Sequence, residues 1–318
     1  MLLSKFRKAK LSLPSQNQIV LVDQSFTDYD EFKSYALNWD LDFILTSNNG
    51  FNADFHYSLV NHCVFGHVRL QCSIHQLGQA PGDMRTFVIP ANDEVSYSWR
   101  QHQIKGNTLQ LFPENGELCS ISDPTFDCFV ISFPTVYIQQ TLLQLEGNHV
   151  TDITNSERVW LVDKETLSKL RRLCRLYKIG MQDPDAVLLK TLLSSLLLRP
   201  KWIKTTFKEG RQLIDFCHDF VNENPSETIR MKDIVLLTGK SERSIQYSFK
   251  KQMGITPFEY IKSLKLQNVF KDLKVYKELS ISEIAHRNGF SHLGQFSTDF
   301  KRKFGLTPTQ RRNSKDLK

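Results

Sequence analysis

Hydrophobic and polar residues alternate along much of the chain between residues 40 and 135. In one segment the apolar positions are Val68, Leu70, Cys72 and Ile74, each followed by a polar residue. Strict alternation is typical of a β-strand with one buried and one wetter face. Turn-forming pairs such as Asn115-Gly116 divide the region into short strands. The pattern therefore predicts a β-sandwich or β-barrel over residues 40–135.

The spacing of apolar residues becomes helical after about residue 155. One predicted helix has its apolar positions at Leu167, Leu170, Leu173 and Tyr177. A second has them at Leu188, Leu189, Leu192, Leu193, Leu196 and Leu197. Asp183-Pro184 separates the two helices, and Arg199-Pro200 ends the second. We therefore expect one domain over residues 1–200, strand-rich over 40–135 and helical over 155–200.

Beyond this domain the chain is basic and then helical throughout. Residues 201–210 carry no periodic pattern and are predicted to be a linker, whereas residues 211–318 favour an all-helical domain. Residues 201–318 hold 23 Lys and Arg against 13 Asp and Glu, a net charge of +10. The whole chain has 41 against 34, or +7, so residues 1–200 carry −3. The asymmetry indicates a polyanionic partner for the second domain alone.

The helical domain contains an internal repeat. Residues 249–257 (FKKQMGITP) return at 300–308 (FKRKFGLTP), an offset of 51 residues, and Gly239 returns as Gly289. A repeat of this size indicates one supersecondary unit that is used twice.

The first unit has the local signals of two short helices joined by a glycine turn. We expect a helix over Met231–Thr238, a left-handed Gly239 at its end, and Ser241 as the N-cap of the next helix. Ile245 and Phe249, four residues apart, would anchor that second helix inward. This arrangement predicts a helix-turn-helix, whose second helix enters the major groove of DNA.

The second unit repeats the arrangement. Ser280 is predicted to cap a helix that ends near Asn288, and Gly289 makes the turn. Phe296 and Phe300 would anchor the following helix. A single long helix over Phe258–Leu273 would join the units rigidly, so that both reading helices meet successive major-groove faces about 34 Å apart.

The composition argues against a metal site, a cofactor, an enzymatic activity and a membrane span, and it suggests no further functional site. The six cysteines and nine histidines are dispersed and form no metal-binding spacing, so we expect no metal, no cofactor and no enzymatic activity. The chain shows neither a signal peptide nor an apolar run long enough to span a bilayer, which predicts a cytoplasmic protein without a membrane partner.

The repeat resembles the DNA-binding domain of AraC/XylS-family transcription regulators. The segments that carry the resemblance are Ile284–Phe290 (IAHRNGF), Phe304–Pro308 (FGLTP) and the XylS-like His292–Phe296 (HLGQF). The resemblance spans residues 211 to about 312 and implies a bacterial activator that binds double-stranded DNA. Tyr247 stands where the family often has a basic residue, and Gly294 offers no side chain, so the operator cannot be copied from relatives.

By position on the outer faces, we expect base reading from six residues and phosphate contacts from three. The predicted base readers are Arg243, Gln246, Tyr247, Leu293, Gln295 and Thr298. The predicted phosphate contacts are Lys250, Lys301 and Arg302.

The resemblance also implies a cupin-like first domain that binds a small effector, followed by helices that form a homodimer. Phe87, Tyr97 and Trp99 are candidates for lining an effector pocket, and a small aromatic compound or organic acid is the expected effector. Leu189, Leu192, Leu193 and Leu196 are candidates for a dimer contact, although they could equally pack within their own domain. An activator would also contact RNA polymerase.

Two alternatives stay open at this point. A regulator of this kind can lack a chemical effector and respond instead to its own abundance, temperature or a protein partner. An enzyme with a DNA-binding appendage would need a nucleophile or metal cluster, and the spacing of Cys63, Cys72, Cys119 and Cys128 resembles none. The effector, operator, target genes and sign of regulation are not encoded in these patterns.

Overall fold

The computed structural model describes residues 19–35, 39–48, 50–60, 63–99, 102–146, 154, 156–181, 186–198 and 211–314. The expected linker over 201–210 and the expected breaks at Asp183-Pro184 and Arg199-Pro200 lie outside these described residues.

The described strands of the first domain form two antiparallel sheets. The strands are β1 (Ile19–Phe26), β2 (Asp40–Leu45), β3 (Ala53–Val60), β4 (Cys63–Leu70), β5 (Ile74–Gln79), β6 (Met84–Pro90), β7 (Ser96–Trp99), β8 (His102–Lys105), β9 (Thr108–Phe112), β10 (Glu117–Ser122), β11 (Asp127–Pro134) and β12 (Arg158–Leu161). The larger sheet has the order β1-β3-β4-β11-β6-β9-β12, and the smaller has β2-β5-β10-β7-β8. Their inner faces share one apolar core, so the architecture is an open sandwich.

One short helix lies between β1 and β2, most of the other helices follow the strands, and all regular elements of the described C-terminal part are helices. They are α1 (Tyr29–Ser34), α2 (Thr135–Glu146), α3 (Lys164–Lys178), α4 (Val187–Leu197), α5 (Arg211–Glu223), α6 (Met231–Thr238), α7 (Glu242–Met253), α8 (Pro257–Val275), α9 (Ile281–Arg287), α10 (Leu293–Phe304) and α11 (Pro308–Asn313). The fold is therefore α+β, with a strand-rich first part and an all-helical second part.

The structure differs from the sequence expectation at the edges of the strand-rich region. β1 and α1 precede residue 40, α2 follows the last expected strand directly, and β12 lies in the segment expected to be helical. β12 has only four residues, Arg158 to Leu161, which is too short to show a period. It pairs with β9, and burial of Val159 and Trp160 explains why this segment joins the sheet.

The described residues form three apolar cores. One core packs α2, α3 and α4 against the outer face of the larger sheet and stays within the first domain. The other two cross the expected domain boundary. α8 and α10 contribute Leu266, Phe270 and Phe300 to the core that extends outward from between the sheets. Ile44 of β2 packs with Cys217 and Ile234 in the third core. The helical part is therefore docked on the sandwich.

No helix in the described ranges has the length and apolar character needed to cross a membrane.

Candidate DNA-binding surface

In the first helix-turn-helix, the predicted glycine turn and the predicted serine cap delimit the two helices. α6 ends at Gly239, which has φ 63°, and the Gly239 amide donates to the Val235 carbonyl at 2.9 Å. The Ser241 hydroxyl then accepts from the Ser244 amide at 3.3 Å and starts α7. Ile245 is buried on the inner side of α7, so the opposite side of this helix faces solvent.

The second helix-turn-helix uses a fuller cap. The Ser280 hydroxyl accepts from the Glu283 amide, and the Glu283 carboxylate accepts from the Ser280 amide, at 3.1 and 2.7 Å. After the turn at Gly289, which has φ 80°, α10 begins at Leu293. Phe296 and Phe300 are buried, and they orient α10 as Ile245 and Phe249 orient α7.

α8 connects the two units. It has 19 residues and a length of about 28 Å, and it contacts α7, α9 and α11. Thr256 and Glu259 form a capping box at its start, with Pro257 as the first helical residue. The same box recurs 51 residues later with Thr307 and Gln310, so the repeat extends to the caps.

The predicted base-reading residues lie on the exposed sides of α7 and α10. Arg243, Gln246 and Tyr247 are all exposed on α7, and Tyr247 retains 68% of its accessible surface. On α10 the exposed residues are Leu293, Gln295 and Thr298. The Thr298 hydroxyl donates to the Gly294 carbonyl at 3.1 Å, so its oxygen lone pairs and its methyl group are what it presents to a base in this conformation.

The three predicted phosphate contacts are exposed as well. Lys250 lies on α7 and Lys301 and Arg302 lie on α10. The Arg302 guanidinium donates to the Asp299 carboxylate at 2.6 Å, which holds its charge beside the exposed face.

Asp299 was not among the residues that the sequence singled out. It is buried and also pairs with Lys262 of α8, so it ties α10 to the connecting helix. Burial alone would raise the pKa of Asp299, but contacts with Lys262 and Gln295 lower it below its ordinary value. The sequence did contain a signal for Asp299, because it is the one acidic residue of a basic helix and lies next to the inward-facing Phe300.

Comparison with known proteins supports the helical part in particular. A family described as a helix-turn-helix domain matches residues 236–314. The chain is 33% identical over 105 residues to the XylDLEGF operon transcriptional activator 2 of Pseudomonas putida, covering 32% of this chain and 67% of that protein. It is 31% identical over 94 residues to the probable thc operon regulatory protein of Rhodococcus erythropolis, covering 29% and 28%.

The chain belongs to the AraC/XylS family.

A longer match joins this AraC/XylS-family chain to the HTH-type transcriptional activator RhaS of Escherichia coli, with 25% identity over 164 residues, 49% of this chain and 58% of that one. The matches to these three relatives thus span between about a quarter and two thirds of their own lengths. Among solved structures, an AraC-type regulator from Chromobacterium violaceum has 26% identity and a TM-score of 0.30, covering 32% of this chain and 90% of that one. ToxT from Vibrio cholerae O395 has 14% identity and a TM-score of 0.31, covering 86% and 96%.

The first domain of this AraC/XylS-family chain contains a cavity between its two sheets. The cavity has about 870 Å³ of empty space, part of it open to solvent. One cross-strand row of the larger sheet forms its floor, in the order Tyr57, Gly66, Val130, Val88 and Gln110. The middle three side chains are small and the outer two are long, so the row forms a trough.

The three predicted effector-pocket residues fall in different places. Tyr97 lines the cavity, and its hydroxyl donates to the Gln110 side-chain carbonyl at 2.9 Å. Trp99 is fully buried in the core between the sheets and is not part of the cavity wall. Phe87 points to the other face of β6 and packs among the helices, because its neighbour Val88 takes the cavity side.

The predicted dimer stripe lies inside the first domain. Leu189, Leu192, Leu193 and Leu196 are all buried in the core that α2, α3 and α4 share with the larger sheet. These leucines therefore pack within their own domain in this structure.

Proposed function

We propose that this chain is a sequence-specific DNA-binding transcription regulator, an activator, that responds to a small effector bound in its first domain. The observation that carries the DNA-binding half is the paired arrangement of α7 and α10. Each helix is anchored inward by buried apolar residues and presents a polar, exposed outer face, and α8 links the two units. Two such helices on one body read two segments of the major groove.

The cavity between the sheets supports the effector half of the proposal. A concave, mostly apolar space with a few polar atoms is the usual form of a small-molecule site. ToxT, in one of its solved structures, has an unsaturated fatty acid bound, and several relatives are named as operon activators. Such a regulator acts on the chromosome in the bacterial cytoplasm, and as an activator it contacts RNA polymerase. Any homodimer would need a surface other than the buried leucines of α4.

Genome-wide footprinting of the full chain tests the DNA-binding half. We expect protection at a limited number of promoter sites, each spanning two neighbouring major-groove segments. The double variant Leu293→Ala/Lys301→Ala removes two predicted DNA contacts of α10. Its footprint should lose the major-groove segment that α10 reads and keep the segment that α7 reads. Uniform, sequence-independent protection would contradict the proposal.

A thermal-shift screen with aromatic acids and amines tests the effector half. A compound that binds the folded chain raises its melting temperature by mass action. A shift that saturates with concentration supports a chemical effector. If footprints occur but no compound class shifts the protein, the regulator without a chemical effector is the better description.

A further inference from the structure

The cavity between the sheets is built for an uncharged ligand. None of the described residues that line it is a lysine, arginine, histidine, aspartate or glutamate. Most of its wall consists of aromatic or aliphatic side chains, and both sheets contribute them, among them Leu41, Phe43 and Leu118 of the smaller sheet and Val68 and Phe112 of the larger. A carboxylate or ammonium group placed there would lose its hydration and find no opposite charge, so burial of the ionised form is unfavourable.

Two polar atoms on the cavity floor lack a partner. The Tyr57 hydroxyl and the Gln110 side-chain nitrogen are both buried and make no hydrogen bond to the described protein. Tyr57 and Gln110 end the same cross-strand row and face the cavity. Burial also raises the pKa of Tyr57, so its hydroxyl stays a neutral donor.

Both groups can donate a hydrogen bond: the Gln110 NH₂ group only donates, and the Tyr57 hydroxyl can donate or accept. The Gln110 side-chain carbonyl already accepts from the Tyr97 hydroxyl. The part of Gln110 that remains to bind a ligand is its NH₂ group, which donates hydrogen bonds. A buried donor without a partner is unfavourable, and a ligand oxygen that accepts from it removes that penalty. The site therefore selects for a hydrogen-bond acceptor on an apolar body.

We propose that the effector is a neutral, largely apolar molecule with a carbonyl-type acceptor, such as a ketone, ester or amide, held by Gln110 and Tyr57. This proposal rests on the effector half of the proposed function and differs from the sequence expectation of an organic acid, which stays a prediction that the same test addresses. The floor of small residues, Gly66, Val130 and Val88, receives the apolar body, and the donors at the ends of the row fix its polar group.

Three probes of similar shape separate charge from hydrogen bonding. Benzylacetone is a neutral ketone, hydrocinnamate is its carboxylate counterpart, and n-butylbenzene lacks an acceptor. In thermal unfolding and calorimetric titration at neutral pH we expect affinity to fall in the order benzylacetone, n-butylbenzene, hydrocinnamate. Lowering the pH until hydrocinnamic acid is protonated should bring its affinity toward that of the ketone.

Variants then assign the donors. Tyr57→Phe should weaken benzylacetone binding about ten-fold, the value of one hydrogen bond, and leave n-butylbenzene unchanged. Because the hydroxyl has no partner without ligand, Tyr57→Phe should not lower the stability of the empty protein. Gln110→Leu is made in a Tyr97→Phe background, so that no hydroxyl is orphaned, and compared with Tyr97→Phe alone.

Tighter binding of hydrocinnamate than of the ketone at neutral pH would overturn the ligand class while leaving an effector-controlled regulator intact. Binding of none of the probes, together with no shift in the wider screen, would instead count against the effector half of the proposed function. Both readouts are made without DNA, so neither depends on how α7 and α10 act.

A separate observation concerns how this cavity is joined to the DNA-binding helices. Phe32 and Phe43 form part of its wall, and they lie on α1 and β2. The Phe43 carbonyl accepts from the Gln267 side chain of α8 at 2.6 Å. Asp28 and Asp30 of the α1 end pair with Arg311 of α11, at 2.6 and 2.5 Å.

We infer that ligand occupancy is coupled to DNA binding through α1 and β2. Both elements have one side in the cavity and the other against the helical part, and Gln267 is nearly fully buried at 3% exposure. A ligand that shifts the wall at Phe43 also changes what holds α8, the helix that connects the two reading units. Coupling of this kind is a free energy shared by both sites.

The test measures how far saturating benzylacetone changes DNA affinity in the full chain and in Gln267→Leu, with a footprinted site as the DNA. We expect a change of five-fold or more in the native chain and a factor near one in the variant. Leu198→Ala, at the exposed residue that directly follows α4, is the control and should keep the native change. An equal change in native and variant proteins, or none in the native protein, would overturn the coupling.

Discussion

Arg243 projects from the exposed side of α7, on the helix that the first unit presents to DNA. A guanidinium pairs with two acceptors of guanine at once, which fixes one base of the site. We predict that Arg243→Ala weakens binding to the specific site by about 1–3 kcal/mol and relaxes one operator position. Binding titrations against a set of single-base operator variants measure both effects.

Lys250 provides the matched control on the same helix. If it contacts phosphate, Lys250→Ala weakens binding to all sequences alike and lowers the salt dependence by about one counterion. An equal loss on random DNA for Arg243→Ala would show that Arg243 is a phosphate contact instead.

Lys303 gives the second unit a pH dependence. Its ammonium is buried beside the Ser263 hydroxyl at 2.9 Å, and burial lowers its pKa to about 7, with a further contribution from Lys262 and Arg302. Between this value and the ordinary 10.5, the unfolded chain binds a proton that the folded chain does not. The free energy of unfolding therefore gains up to about 1.4 kcal/mol per pH unit over that window.

Lys303→Met should remove this dependence. We predict a higher free energy of unfolding than the native chain at neutral pH, and a difference that narrows as the pH rises toward 10.5. Urea denaturation at a series of pH values measures the slope. Lys301→Met, at an exposed position on the same helix, is the control and should leave the slope unchanged.

The two turns look alike in the sequence but differ in the structure. Gly239 and Gly289 both have positive φ, at 63° and 80°. A side chain at Gly239 would meet nothing within 4 Å, whereas a Cβ at Gly289 would lie 2.5 Å from the Lys265 ammonium and 3.0 Å from the Ser226 carbonyl. Lys265 cannot move freely, because it donates to the Glu227 carbonyl at 2.6 Å.

We predict that Gly239→Ala costs only the backbone term, about 1–2 kcal/mol, while Gly289→Ala costs more. Thermal unfolding of the two variants measures the difference, and DNA affinity should follow the same order. Equal destabilisation would mean that the contact at Gly289 relaxes without cost.

The helical part was predictable at the level of elements because its signals are local. Ser241, Ser280 and the glycine turns act over three or four residues, and the structure confirms the helices that they delimit. β6 shows the opposite case. All seven of its residues, Met84 to Pro90, are buried, so no alternation revealed that Val88 faces the cavity and Phe87 the helices. The cavity floor depends on four strand pairings, and three of them join segments that are distant in the sequence, which no local pattern encodes.

At the scale of the whole molecule, the C-terminal helices share two apolar cores with the sandwich. We predict that a fragment of residues 211–318 still binds the footprinted DNA, since all predicted contacts lie within it. It should melt at a lower temperature than the full chain, because Leu266, Phe270 and Tyr260 lose apolar neighbours. Calorimetry and gel-shift titration measure the two properties. A folded fragment without DNA affinity would contradict the proposed domain division.

The pairing of Arg311 with Asp28 and Asp30 joins positions 283 and 281 residues apart. Ribosomes make the aspartates first and the arginine only near the end of the described chain. A nascent sandwich therefore cannot form these two ion pairs until α11 has emerged from the exit tunnel. Translation products that end before Arg311 would lack these ion pairs, and their unpaired Asp28 and Asp30 would leave this side of α1 accessible to chaperones and proteases.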